Sequence, residues 1–188
     1  MNSKTQDSIS AADTSIGFDY QFYYFFFLIL GLRHGEKIGL EVKDDVHLAL
    51  PDGQAILIQT KHSVQTTAKG NIINLTELDK DLWKTISNWV KIISEQFDPI
   101  AYLGKTTFQL VTNKNNNKNN FFKKIQDFSN NEISIADFKI YLNALMKSTI
   151  DTGIKAYITS LFKMKNNILS QFLNKITFAL NEDNLIDK

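Results

Sequence analysis

The sequence contains no cysteine. That removes disulfide frameworks, Cys-ligated zinc and thiol nucleophiles, and it suits a reducing cytoplasm. The histidines are few, His34, His47 and His62, and they show no metal-ligand spacing. Charge of one sign is also lacking: the formal net charge is +1. No global basic field announces a polyanionic partner, so any phosphate-binding surface must be a local patch. A membrane-length apolar run is missing too. The most apolar stretch, Phe22 to Leu30, falls well short of the roughly 20 residues that a bilayer demands. Asp7, Asp13 and Asp19 precede it and no small-residue cleavage site follows, which argues against a signal peptide. The expectation is a cytoplasmic protein with no membrane partner and a buried helix at this run.

What is present suits an ordinary globular chain. At 188 residues, with 43% hydrophobic and 22% charged, it is long enough to bury a core within one domain. Residues 1–14 read as a flexible tail, and 15–188 as a single domain. Thr14 and Ser15 offer a cap for a helix from Gly17 to Arg33, apolar nearly all round and therefore expected to be central. The two-residue alternation of Val46, Leu48 and Leu50 predicts a strand. Pro51-Asp52-Gly53-Gln54 reads as a turn, and residues 55–61 as the returning strand of a hairpin.

A polar loop from His62 to Asn74 then leads to an amphipathic helix over about 75–97, and Thr107–Thr112 reads as another strand. The asparagine-rich stretch 113–120 reads as an exposed loop. The segments 121–130, 135–148, 151–163 and 165–180 favour helix, and no internal repeat is visible. The expected architecture is α/β, with a core over about 15–113 and a helical extension over about 121–180.

The chemistry concentrates on the hairpin. Gln59 and Lys61 are two apart and share a strand face, and a tight turn places Asp45 opposite or diagonal to Gln59. A carboxylate, an amide oxygen and an ammonium group thus converge. A hard cation such as Mg²⁺, with Mn²⁺ as a substitute, takes oxygen ligands: here the Asp45 carboxylate, the Gln59 side-chain oxygen and the Thr60 carbonyl. Such an ion activates water and polarises a phosphate, while Lys61 orients the water or holds developing negative charge. The set fits hydrolysis of a phosphodiester. Glu41 adds a second carboxylate if a bulge near Lys43-Asp44 lets it reach, and Asp44 reads as a solvent-facing neighbour. His47 shares the Asp45 face, and both it and His62 can be read as polar contacts or as acid–base groups. Trp83 and Trp89 read as core or interface anchors. Lys114, Lys118, Lys123 and Lys124 form a basic segment that is either solvated or in reach of phosphate.

This arrangement resembles the PD-(D/E)xK nucleases, in the branch where Gln replaces the usual acid, and more closely the nuclease domain of the CD-NTase-associated antiphage endonucleases. The resemblance rests on Gly17-Phe-Asp-Tyr-Gln21, Glu41-Val-Lys-Asp-Asp-Val46, Ile58-Gln-Thr-Lys-His62, residues 81–89 and Phe108–Asn113. It implies a restriction-endonuclease-like core of helix, β-hairpin, helix and strand, and Mg²⁺-dependent cleavage of double-stranded DNA in bacterial antiviral defence. It also implies a fused or associated sensor or ATPase module, and it places Gln21 at the edge of the site. Gln21 can equally satisfy a buried backbone group. The rival readings are a catalytically inactive module for DNA binding, and an interaction domain that forms a homo-oligomer.

Overall fold

A computed structural model describes residues 4–63, 74–115 and 119–182, with the backbone alone for 4–15. The element order is α1 (Lys4–Leu30), β1 (Lys37–Leu40), β2 (Val46–Ala49), β3 (Ala55–Lys61), α2 (Lys80–Ser94), α3 (Pro99–Lys105), β4 (Thr106–Thr112), α4 (Asn120–Ser129), α5 (Ile135–Ser148), α6 (Thr152–Phe162), α7 (Asn166–Leu173) and β5 (Ile176–Leu180). The five strands form one mixed sheet in the order β1-β2-β3-β4-β5. The architecture is mixed α/β.

Several elements differ from the sequence expectation. The first helix begins at Lys4, so residues 4–14 are helical rather than a tail. Ahead of the strand expected from residues 46–50 stands a further strand, β1, and between it and β2 Glu41 takes a left-handed φ of 54°. Its N–H donates to the Asp45 carbonyl at 2.9 Å, folding residues 41–45 into a tight return. The last segment, expected as helix to 180, ends at Leu173, and Ile176–Leu180 is a strand. On either side of β5 the Lys175 carbonyl accepts from Phe108 N–H, and Glu182 N–H donates to the Thr112 carbonyl. Both partners advance together, so β4 and β5 run in parallel.

The chain divides into two compact units. The first comprises residues 1–73, 109–115 and 177–188, and carries α1 and most of the sheet. Here Val46 pairs with Ile58, His47 with Leu57 and Leu48 with Ile56, all antiparallel. The turn closes through Gly53, whose φ of 81° disfavours a side chain. Val46 and Ile58 project to one face, where they are buried with Tyr20, Tyr24 and Val111. Leu28, Ile38, Leu40, Ile56 and Ala179 pack around that cluster. The alternation of β2 and β3 therefore seats α1 on this face.

The second unit comprises residues 74–108 and 116–176. It is helical, and five of its six described helices start on a capping side chain: Asp79, Asp98, Asn119, Ser134 and Asp151 all accept backbone N–H groups in first turns. Its core is aromatic. Trp83 stacks near Phe121 at 4.7 Å between ring centroids, Trp89 near Phe108 at 5.3 Å, and Phe108 near Phe172 at 5.1 Å. Both tryptophans are fully buried, as anchors of this core.

The asparagine-rich stretch is not an exposed loop where it is described. Asn113, Lys114 and Asn119 are buried, Asn113 exchanging hydrogen bonds with the Ser63 backbone at 2.9 Å in both directions. Lys118 and the loop residues 64–73 lie outside the described residues. Helix α1 is not buried all round either: Phe18, Phe22, Tyr23, Phe26, Phe27 and Leu30 are exposed. One face packs on the sheet and the other is free of it.

Candidate functional site

Three local features build a cleft within the first unit. The β2–β3 register, Val46 opposite Ile58, brings Asp45 to the level of Gln59 and Thr60 at the end of the ladder. The left-handed Glu41 closes the 41–45 return and turns its carboxylate back toward α1. From α1, the buried Gln21 reaches across. Its Nε2 donates to Glu41 Oε1 at 2.6 Å and to the Asp45 carbonyl at 3.1 Å. Gln21 thus satisfies a backbone carbonyl and lines the same cleft as Glu41 and Asp45.

Asp45 is held from the other side. Its Oδ2 accepts from the Thr60 amide at 2.9 Å and from the Thr60 hydroxyl at 3.1 Å. The resulting cleft has a volume of about 370 Å³ and is lined by Gly17, Phe18, Gln21, Glu41, Asp45, Thr60, Lys61 and His62. Glu41, Asp45, Thr60 and Lys61 are thus brought together. The return at 41–45 brings the Glu41 carboxylate to the same cleft as that of Asp45.

Gln59 and His47 are not among the lining residues. Gln59 is buried on strand β3, in phase with Leu57, while Thr60 holds the Asp45 carboxylate. His47 lies opposite Gly39 across the β1–β2 ladder, and its ring fills the space that a Cβ at Gly39 would occupy. Its Nδ1 is buried without a hydrogen-bond partner. Burial, aided by the charge of Lys43, pushes the His47 imidazole below its ordinary pKa. It is a packing residue between strands. His62 lines the cleft and stacks beside Tyr20 with centroids 4.8 Å apart. The sequence signal for Thr60 as a partner of Asp45 was its hydroxyl at the strand end, next to the expected ligand.

The donor set suits a hard cation better than a soft one, since the lining groups are carboxylate, hydroxyl, amide and ammonium. Among the described residues no group of three or more His, Asp or Glu is gathered as a metal cage. Two carboxylates facing a cleft are nonetheless the usual protein share of a Mg²⁺ site, the remainder being water and substrate oxygens. No helix among the described residues is long and apolar enough to cross a membrane. The chain matches no family model, no curated protein and no solved structure.

Proposed function

We propose that this chain is a metal-dependent endonuclease domain that hydrolyses phosphodiesters of double-stranded DNA, acting as an effector in bacterial antiviral defence. The observation that carries the reading is the meeting of Asp45, Glu41 and Lys61 in one cleft, with both carboxylates fixed by Thr60 and Gln21. Each carboxylate keeps its second oxygen outside those bonds, available to a cation. Asp45 and Glu41, with the Thr60 carbonyl, would hold Mg²⁺ or Mn²⁺, and Gln59 falls outside this ligand set. A bound divalent cation supplies neutralisation of phosphate charge and a more acidic water. Lys61 orients that water or stabilises negative charge as it develops. Gln21 is a positioning residue: its amide fixes Glu41 relative to the Asp45 backbone. Phosphodiester hydrolysis follows from this donor set; the DNA substrate and the defence role, with a sensor or ATPase module as partner, rest on the resemblance of motifs.

A second reading has one observation in its favour. Gln59 does not line the cleft, so the motif is spatially incomplete, as expected of a DNA-binding module without turnover. Supercoiled plasmid incubated with the purified chain and Mg²⁺ or Mn²⁺ separates the two. The nuclease reading expects nicked and linear products that vanish in Lys61→Ala and Asp45→Ala, with unchanged circular dichroism. DNA that is bound and retained intact under both metals sinks it in favour of the binding module.

A further inference from the structure

One wall of the cleft holds two residues that the fold itself does not explain. Gly17 and Phe18 lie four and three residues before Gln21, so all three share the face of α1 that looks onto the site. Phe18 is 60% exposed, a large apolar ring left mostly in water on the wall of a polar cleft. Phe22, Tyr23 and Phe26 are exposed on the same helix, but none of them lines the cleft. Gly17 is the second oddity, because a glycine in a helix interior weakens the helix relative to alanine. Among the described residues, a Cβ at Gly17 would meet nothing within 4 Å beyond its chain neighbours and the helix backbone. Internal packing therefore does not demand the glycine.

A bound nucleotide accounts for both. The cleft, at about 370 Å³, has the volume of a small-ligand site, which suits one nucleotide unit and not a paired double helix. Asp45, Glu41 and Lys61 account for the phosphate and leave the attached base without a partner. An aromatic ring beside a phosphate site is a platform for that base, since every base has a π face whatever its sequence. Within a duplex both faces of a base are taken by its neighbours, so a base reaches Phe18 only when it is out of the stack. The bare backbone at Gly17 leaves room for the sugar–phosphate chain of the same nucleotide. His62, held against Tyr20 with ring centroids 4.8 Å apart, adds a second ring to the lining.

We propose that Phe18 is a base-stacking platform: the nucleotide beside the scissile phosphate passes over Gly17 and lays its unpaired base on the Phe18 ring. This rests on the cleft being the nucleic-acid site, and it adds that the substrate strand is unpaired there, as at a DNA end, a flap or a flipped nucleotide. The test reads binding rather than turnover. The parent protein is Lys61→Ala with Mn²⁺ present, so that the strand stays intact. Fluorescence anisotropy compares an end-labelled single-stranded DNA oligonucleotide with an abasic strand of equal length, which keeps the phosphates and lacks the bases. Plasmid cleavage by the wild type is followed in parallel.

The base-bearing strand should bind the parent more tightly than the abasic one. Adding Phe18→Ala should weaken the base-bearing strand by roughly 5- to 100-fold and change the abasic strand little. Phe18→Leu should behave like Phe18→Ala, and Phe18→Trp should retain the preference, which separates stacking from apolar bulk. Gly17→Leu should weaken both strands while circular dichroism shows helix kept or gained, since leucine favours a helix. A parent without a preference for bases overturns the proposal, as does a preference that survives Phe18→Ala. Gly17→Leu that binds both strands like the parent overturns it too, because the chain then does not pass over Gly17. Failure of the nuclease reading looks different: a wild type that never cuts plasmid, while Phe18 still sets the preference for bases, loses turnover and keeps the stacking platform.

Discussion

Asp45 and Thr60 are joined twice, by the Thr60 amide at 2.9 Å and its hydroxyl at 3.1 Å, both on the same carboxylate oxygen. Both bonds end on the Asp45 side chain, so the amide and the hydroxyl together fix the carboxylate's rotation. Thr60→Val keeps the first and removes the second with little change of shape. A hydrogen bond to a charged group contributes about 1.5–3 kcal/mol, and partial exposure here puts the loss near the low end. The urea midpoint should fall with an unchanged slope. Plasmid cleavage should drop by roughly tenfold or more, as for partners that orient a ligand, and Thr60→Ser should restore most of it. Equal activity in Thr60→Val would show that the hydroxyl does not orient Asp45.

Gln21 supplies the corresponding tie on Glu41, through a bond of 2.6 Å from a helix otherwise committed to packing. Gln21→Leu leaves Glu41 without that donor and the Asp45 carbonyl with one fewer. Mn²⁺ binding, followed by calorimetry, should weaken by about 10–100-fold, the usual effect of losing an outer partner of a metal ligand. Thermal stability should fall slightly as well, since the part-buried Asp45 carbonyl keeps only its bond from the Glu41 N–H. Unchanged Mn²⁺ affinity would remove Glu41 and its tether from the site.

Tyr24 lies in the core beneath α1, and burial, with the charge of Glu182 adding to it, pushes its phenol up to about 12. The folded state therefore resists ionisation that the unfolded chain undergoes near pH 10. Stability from this group is fully present below pH 10 and declines as pH rises toward 12. The two-unit gap corresponds to about 3 kcal/mol at most. Urea unfolding at pH 8 and pH 11 should show the loss in wild type and a smaller loss in Tyr24→Phe. An identical alkaline loss in both proteins would assign it elsewhere.

The hairpin was legible because alternation over residues 46–50 and 55–58 is a local signal, and the turn residues fix the register that places Asp45 level with Gln59. The left-handed return at Glu41 was not, since it is tied by bonds from the Glu41 N–H and the distant Gln21 to one carbonyl, that of Asp45. Nor was β5. Leu169, Phe172, Leu173 and Ile176 keep helical spacing past the point where the helix ends, and only pairing with a strand many residues earlier makes 176–180 extended. Helix α1 hid its orientation for a different reason: apolar on every side, it carried no contrast to mark which face the sheet would take. Asn113 and Asn119 were masked by composition, their hydrogen bonds depending on Ser63, Leu75 and Thr76.

Asn119 shows what that composition conceals. Its side chain accepts from Phe121 N–H at 3.0 Å, capping α4, and donates to the carbonyls of Leu75 at 3.0 Å and Thr76 at 3.1 Å. Asn119→Ala removes the cap and strands a buried carbonyl, for an expected loss of about 2–3 kcal/mol. Asn119→Asp keeps the cap but turns a carboxylate on the two carbonyls, so it should not rescue. Chemical denaturation of the three proteins ranks them, and an Asp variant as stable as wild type would mean the contacts to 75 and 76 are dispensable.

Gly39 and His47 test the hairpin that precedes the site. They sit directly opposite across β1 and β2, and the imidazole occupies the volume where a Cβ at Gly39 would stand. Gly39→Ala must therefore displace the ring, in the manner of an overpacked core, and should lose about 1–3 kcal/mol. Removing the ring first changes the outcome. In the background of His47→Ala, the same glycine substitution should be nearly neutral or stabilising, because an alanine in a strand limits the unfolded chain more than glycine does. The coupling between the two changes is read from a double-mutant cycle in urea. Additive losses would place the cost of Gly39→Ala in the backbone instead of in the histidine.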